Sequence, residues 1–464
     1  MGGITMQVIA PRTVPKMPGF DALIDTMVAL QCDDLPAGAV TSAKYSLLDT
    51  LAVALAGRAA AGMHGVRALA LEEGGAAQAS LWGEGTAVPV SNAAFYNAAI
   101  ASALDFDSLS PHVGHMDATI IPAALAAAQW RNCSGAEFLA AFVAGAELGY
   151  RLGRATLNTR GWYRVSLYGV FGATVAAGKL AGLTSEQLKS ALGLALLQAA
   201  GTLQNHTERT LGKRLMAAFA AKAGVQAVRL AMQGITGPAQ SLDGKYGLFA
   251  MYEEADLSHV AADYGQVFLN QDTTYKKFPT CGCTHAALEA ALTVVHRHDI
   301  AVDQVAAIDV VLTPYMHQLV GYPFEAGGDV EVIGQFCAQY AVASALVHRR
   351  YTPAELTRDV VLSERVAEIV AKTQVRVDPT LTSMHAPAEV RVVLHTGQQY
   401  AVRIEQLPDL AAGESGYLAL KDKARGCMSA GPQALSHSAQ EALIDRIETI
   451  ETRPEMADFL MHLW

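Results

Sequence analysis

From its start to about residue 265 the chain repeats apolar residues at helical spacing, and many of the small ones are alanine. That pattern dictates a fold dominated by packed helices. Alanine has the highest helix propensity and lets neighbouring helices approach closely. Residues 41–55 place Tyr45, Leu48, Leu51 and Leu55 on one face. Residues 134–152 begin with Ser134 followed three positions later by Glu137, a capping-box signature. Residues 172–180, 185–199 and 216–232 continue the pattern, and the break at Gly234-Ile-Thr-Gly-Pro238 ends it.

The character then changes. Residues 305–313 read as a strand, residues 336–347 as a helix, and residues 388–405 as a hairpin. In the hairpin Val390, Val392 and Leu394 alternate with Arg391, Val393 and His395, Thr396-Gly397 turns, and Tyr400, Val402 and Ile404 return. Residues 436–463 are helical again. The expected fold is mainly α with an α+β part. A large helical domain comes from residues 1–267 and 406–464, with a smaller α+β domain inserted at 268–405.

Composition narrows the function. A chain of 464 residues with 51% hydrophobic and 17% charged residues can bury a large core. The net charge of −10, with Lys and Arg in ones and twos, offers no basic stripe for nucleic acid. No unbroken apolar run of about 18 residues points to a membrane span. The first residues lack the pattern of a signal peptide, and Met6 stands where a myristoylation signal wants Ser or Thr. Six cysteines in this length are no disulfide scaffold, so a reduced cytoplasmic setting is expected. The sequence has no GxxxxGK[ST], HExxH or GxSxG motif, and no strand-anchored GxGxxG.

Three stretches carry ionisable groups. Residues 101–122 crowd Asp105, Asp107, His112, His115 and Asp117 between two apolar helices. This is either a cavity lining tuned for proton transfer or a solvated loop in which Asp117 caps the next helix. His112-x-x-His115 with the aspartates is also a conceivable metal set. Residues 212–238 open with Lys213 and Arg214, either a carboxylate grip or a pair of surface charges. Residues 275–288 carry Lys276, Lys277 and His285 around a turn set by Pro279 and Gly282. There Cys281-x-Cys283-x-His285 is either a ligand set or a pair of inert buried thiols.

Taken as a set, these stretches resemble the MmgE/PrpD superfamily. The resemblance rests on LLDTLAVALAG, NAAIASALDFD with His115 and IIPAALAAA, SGAEFLAAFVAGAELGYRLG, GVFGATVAAGKLAGL, KRL with QGITGP, KKFPTC with TH, and QFCAQYAVASAL. It spans about residues 40–350 and fits the hairpin region more loosely. It implies a helical domain, an α+β lid, a cleft between them, a homodimer, and neither metal nor organic cofactor. Members act on small carboxylates by dehydration, decarboxylation or epimerisation.

By position, Asp105 and His115 fall on active-site residues of the family. Lys213 and Lys276 fall on cationic positions that hold substrate carboxylates, and His285 falls on a polar position of the lid turn; Arg214, beside Lys213, is a further cation available to bind a carboxylate. The chain departs from the family at Ser166 and Met216, where histidines are usual, and at Ala218, where glycine is. Tyr168 beside Ser166 offers a hydroxyl. These departures imply an altered substrate. A lyase, an epimerase or isomerase, and a non-catalytic carboxylate-binding protein all fit the residues.

Overall fold

The computed structural model describes residues 14–407, 410, 413–431 and 433–463. The expectation at Met6 lies outside them. Long helices dominate: Ala37–Gly57, Val90–Ser102, Asp117–Arg131, Gly135–Ala155, Arg164–Leu180, Ser185–Leu196 and Met216–Met232. Ser134 caps its helix as the sequence predicts, its hydroxyl accepting from Glu137 N while the Glu137 carboxylate reaches back. The periodicity at 41–55 understates burial, because the helix is enclosed on all sides from Ser46 to Gly57. At Gly57 a Cβ would stand 2.0 Å from the Ile100 carbonyl oxygen, so only glycine permits this approach.

Two short strands interrupt the helical run, β1 (Ala79–Leu81) and β2 (Thr86–Val88), paired antiparallel. Gly83 and Gly85, both at positive φ, make the turn. The stretch Leu211–Met232 is long and apolar enough to cross a membrane by length and composition, but 61% of its apolar window is buried inside the protein.

The second layer is a four-stranded sheet in the order β4 (Thr373–Val377), β3 (Val305–Leu312), β5 (Ala388–Leu394), β6 (Gln399–Ile404). The hairpin forms where the sequence predicts it, with Val390 opposite Val402, Val392 opposite Tyr400, and Gly397 at φ 85. Its Val390, Val392 and Leu394 are buried while Arg391 is exposed. Strand β4 runs parallel to β3, so the chain crosses over between them. Helices Gly282–Arg297 and Ala338–His348 pack on the sheet.

Two hydrophobic cores result. One joins residues 17–275 with 420–463, and the other gathers residues 278–402. The late helices Gly413–Met428 and His437–Glu448 return to pack on Ala37–Gly57. We call the two parts the helical body and the α/β unit. The change from one core to the other falls between Tyr275 and Phe278, beside Lys276.

Candidate active site

The loop between helices Val90–Ser102 and Asp117–Arg131 is not solvated. Asp105, Asp107 and Asp117 are each 2% exposed or less. Asp105 takes φ 50, left-handed and costly for a residue other than glycine. The loop is fixed from several sides. Leu109 pairs with Thr274, and Ser102 donates to the Arg214 carbonyl at 2.8 Å. Lys423, from the late helix, donates to the Phe106 carbonyl at 2.7 Å while pairing with Asp49 at 2.6 Å. Asp117 is no helix cap. Its carboxylate accepts from Ser108 and Tyr150, each at 2.7 Å.

Asp105 is the centre of the site. Lys213 Nζ donates to its Oδ1. Lys276 Nζ donates to its Oδ2 at 2.6 Å and to its backbone carbonyl at 2.7 Å. Lys213 sits in the tight turn Leu211–Leu215, and Lys276 on the segment leading into the α/β unit. All three side chains are 4% exposed or less. Burial alone would raise the Asp105 pKa, but Lys213, Lys276 and His115 outweigh it and hold the carboxyl well below the usual range. An ammonium has three donors. Lys213 commits one to Asp105 and lies 5.3 Å from the Phe336 ring centroid, which leaves donors for a ligand.

His115 stands beside this cluster. Its Nδ1 lies 3.0 Å from the Ser108 carbonyl and 3.3 Å from Asp107 Oδ2. Both neighbours are acceptors, so Nδ1 carries a proton and Nε2 is the nitrogen left to face a ligand. Nε2 has no hydrogen bond to the described residues. Burial opposes ionisation of Asp107, but His115 and Lys276 overcome it and lower its pKa. The Ser108–Asp117–Tyr150 chain therefore sets the acceptor that orients the imidazole.

Asp105, His115, Lys213 and Lys276 are thus brought together, His285 lines a cavity with Lys276, and Arg214, Ser166 and Tyr168 are committed elsewhere. Arg214 turns away, donating to the Ala61 carbonyl at 2.6 Å and facing Glu331 of the α/β unit at 3.7 Å. His285 lends Nε2 to the carbonyls of Phe278 and Thr280, at 3.1 and 3.3 Å, and so braces the turn after Lys276. Burial and Lys276 push its pKa down to about 3. The Ser166 hydroxyl is taken by the backbone carbonyls of Ala200 and Tyr163. Tyr168 is fully buried, its hydroxyl paired with Thr156 at 2.7 Å.

No group of three or more metal-ligating side chains assembles among the described residues. His112 pairs outward with Asp272 at 2.8 Å, while His115 faces inward. Cys283 is buried near the Met384 carbonyl.

Sequence reasoning misses several neighbours. His385 from the α/β unit joins Thr274, Lys276, Phe278 and Gly282 around a cavity of about 120 Å³. Tyr163, whose hydroxyl is pushed well up by burial and then by Asp105 and Asp107, lies close to the acidic loop. His206 packs on Tyr163 with ring centroids 4.9 Å apart. None belongs to a recognisable motif, and only long-range folding brings them here.

Two family descriptions match this architecture. The MmgE/PrpD N-terminal domain matches residues 21–259, and the MmgE/PrpD C-terminal domain matches residues 278–451. The chain belongs to the MmgE/PrpD family. The C-terminal match includes helices Gly413–Met428 and His437–Glu448, which in this MmgE/PrpD protein pack on the helical body. Among its relatives, human cis-aconitate decarboxylase is 27% identical over 430 residues, covering 89% of this chain and 87% of that protein. Cis-aconitate decarboxylase of Aspergillus terreus is 28% identical over 349 residues, covering 69% and 70%. The cis-aconitate decarboxylase-like protein oryM of Aspergillus oryzae is 27% identical over 376 residues, covering 76% and 78%. These MmgE/PrpD relatives support an enzyme of the lyase class.

Proposed function

We propose that this chain is a lyase, a dehydratase or decarboxylase, acting on a small di- or tricarboxylic acid without a metal or organic cofactor. The observation that carries the reading is the buried Asp105 between Lys213 and Lys276, with the Nε2 of His115 unpartnered beside it among the described residues. A substrate carboxylate entering there meets the free donors of Lys213 and the field of Lys276. Negative charge that develops next to that carboxylate is stabilised by fixed ammonium groups in a water-poor site. His115 moves the proton to or from carbon through Nε2, with Nδ1 held by Ser108 and Asp107. Asp105 keeps the two ammoniums in place before substrate arrives. The arrangement spans the helical body and the entry to the α/β unit, and its four groups stand together in this structure.

The test is turnover on a panel containing cis-aconitate, 2-methylcitrate, citrate, malate and iminodisuccinate, after exhaustive chelation. Carbon dioxide release or water elimination by the chelated protein is the expected result. Activity lost on chelation and restored by zinc or iron would contradict the metal-free reading. Solvent deuterium entering recovered substrate without net product would assign an epimerase instead. Binding without turnover would assign a carboxylate-binding protein, the outcome that Ser166 and Met216 in place of family histidines would explain.

A further inference from the structure

His206 lies on the short helix Gln204–Glu208 of the helical body. Its position is set by backbone pairing: Tyr163 N donates to Gly201 O at 3.0 Å, Leu203 N donates to Gly161 O at 2.8 Å, and Trp162 bridges Thr202. This pairing brings the His206 ring onto Tyr163 and places it nearly perpendicular to the Phe336 ring of the α/β unit, with centroids 5.5 Å apart. The same Phe336 ring has Lys213 Nζ at 5.3 Å. His206 and Lys213 therefore converge on one aromatic ring, next to Asp105. The imidazole Nδ1 is buried with no hydrogen-bond partner among the described residues. No other hydrogen bond ties the ring to them, whereas His115 and His285 are both held by backbone carbonyls. A buried polar atom without a partner disfavours the unliganded state unless a ligand supplies one.

We infer that His206 is a substrate-binding residue of this site, donating a hydrogen bond to the same substrate carboxylate that Lys213 holds. The inference rests on the carboxylate reading of the site. Burial, reinforced by Lys213, pushes the His206 pKa down to about 3, so the ring is neutral at physiological pH. A neutral imidazole adds a donor beside Lys213 without repelling it. It cannot serve as the proton carrier, which separates its role from that of His115.

The experiment compares wild type with H206F and H206Q. Calorimetry with citrate, steady-state kinetics on the acid turned over in the panel, and melting temperatures are measured together. H206F keeps a flat ring against Tyr163 and removes both nitrogens. It is expected to weaken citrate binding and raise KM about tenfold or more, with kcat changed less. H206Q restores an N–H donor and should return to within about threefold of wild type. An ¹⁵N spectrum should show a neutral His206 down to about pH 4 whose signals move when citrate is added. If H206F stays within threefold of wild type, or H206Q is as impaired as H206F, the donor role is overturned while the proposed function stands. If wild type neither binds nor converts any acid of the panel, the proposed function falls and this inference falls with it.

Discussion

Two of the charge clusters buried among the described residues, those around Arg151 and Asp105, are built to opposite ends. Around Arg151 every nitrogen is engaged: Nε reaches Glu147, Nη1 reaches Asp263 and the Ala262 carbonyl, and Nη2 reaches the Val267 carbonyl. Glu147 in turn accepts from Asn270 N at 2.9 Å. That cluster is closed and ties one helix to the segment ahead of Lys276. Around Asp105 the arrangement is open. Lys213 retains donors, His115 has an unpartnered Nε2 among the described residues, and His206 has an orphaned nitrogen. Burial of charge therefore does not mark a site by itself, since both clusters lie in the interior. What separates them is the central cation: Arg151 has every nitrogen engaged, whereas Lys213 has donors to spare beside Asp105.

Mutation should separate the two clusters. The largest effect is expected on stability at the closed one. Arg151→Met leaves Glu147 buried and unpaired, which commonly costs about 3–5 kcal/mol. Chemical denaturation should show this loss, while kcat/KM measured well below the melting temperature stays within about threefold. A variant that melts normally but has lost activity would erase the distinction. Next comes His115→Ala in the open cluster, where turnover should fall by about 10² with the melting temperature little changed. Normal turnover in that variant would remove His115 from the chemistry.

A smaller effect is expected from pH. His285 is buried neutral, with its pKa lowered from the usual value near 6.5 to about 3. The unfolded chain therefore takes up a proton that the folded one refuses, and stability present above about pH 6.5 is lost as pH falls toward 3. H285Q should be less stable than wild type at pH 7.5 yet lose less stability between pH 7 and pH 4.5. Parallel pH curves for the two proteins would show that His285 is not held neutral.

How much of this the sequence shows depends on how local the cause is. The Ser134 capping box and the Val390–Val402 hairpin follow from neighbours a few positions apart, and both form as expected. Met216–Met232 is read with its bounds intact. The Asp105–His115 loop is legible as chemistry because its acids and imidazoles sit within a dozen positions. Its burial is not, because it depends on Lys423 and Thr274 arriving from far along the chain. The same blindness applies to Arg214, whose residue type promises function but whose partner, the Ala61 carbonyl, arrives from far along the chain. His206 offers no signal, since a histidine in a short polar segment looks like surface until Tyr163 and Phe336 enclose it. Strand β4 escapes a sequence reading because its partner β3 is reached only through a crossover.

The central claim is that Lys213 and Lys276 hold a substrate carboxylate from opposite sides of the junction between the two cores. Lys→Met keeps most of the apolar stem and removes the charge. Asp105 retains one lysine in each single variant, so the fold should survive, which circular dichroism checks. Kinetics of Lys213→Met and Lys276→Met on the best acid of the panel then decide the matter. Truncating a desolvated charge pair costs roughly 2–5 kcal/mol, so kcat/KM is predicted to fall about 30-fold or more in each. A change under about threefold in both folded variants would contradict the account, because the two ammoniums would then serve only to hold Asp105.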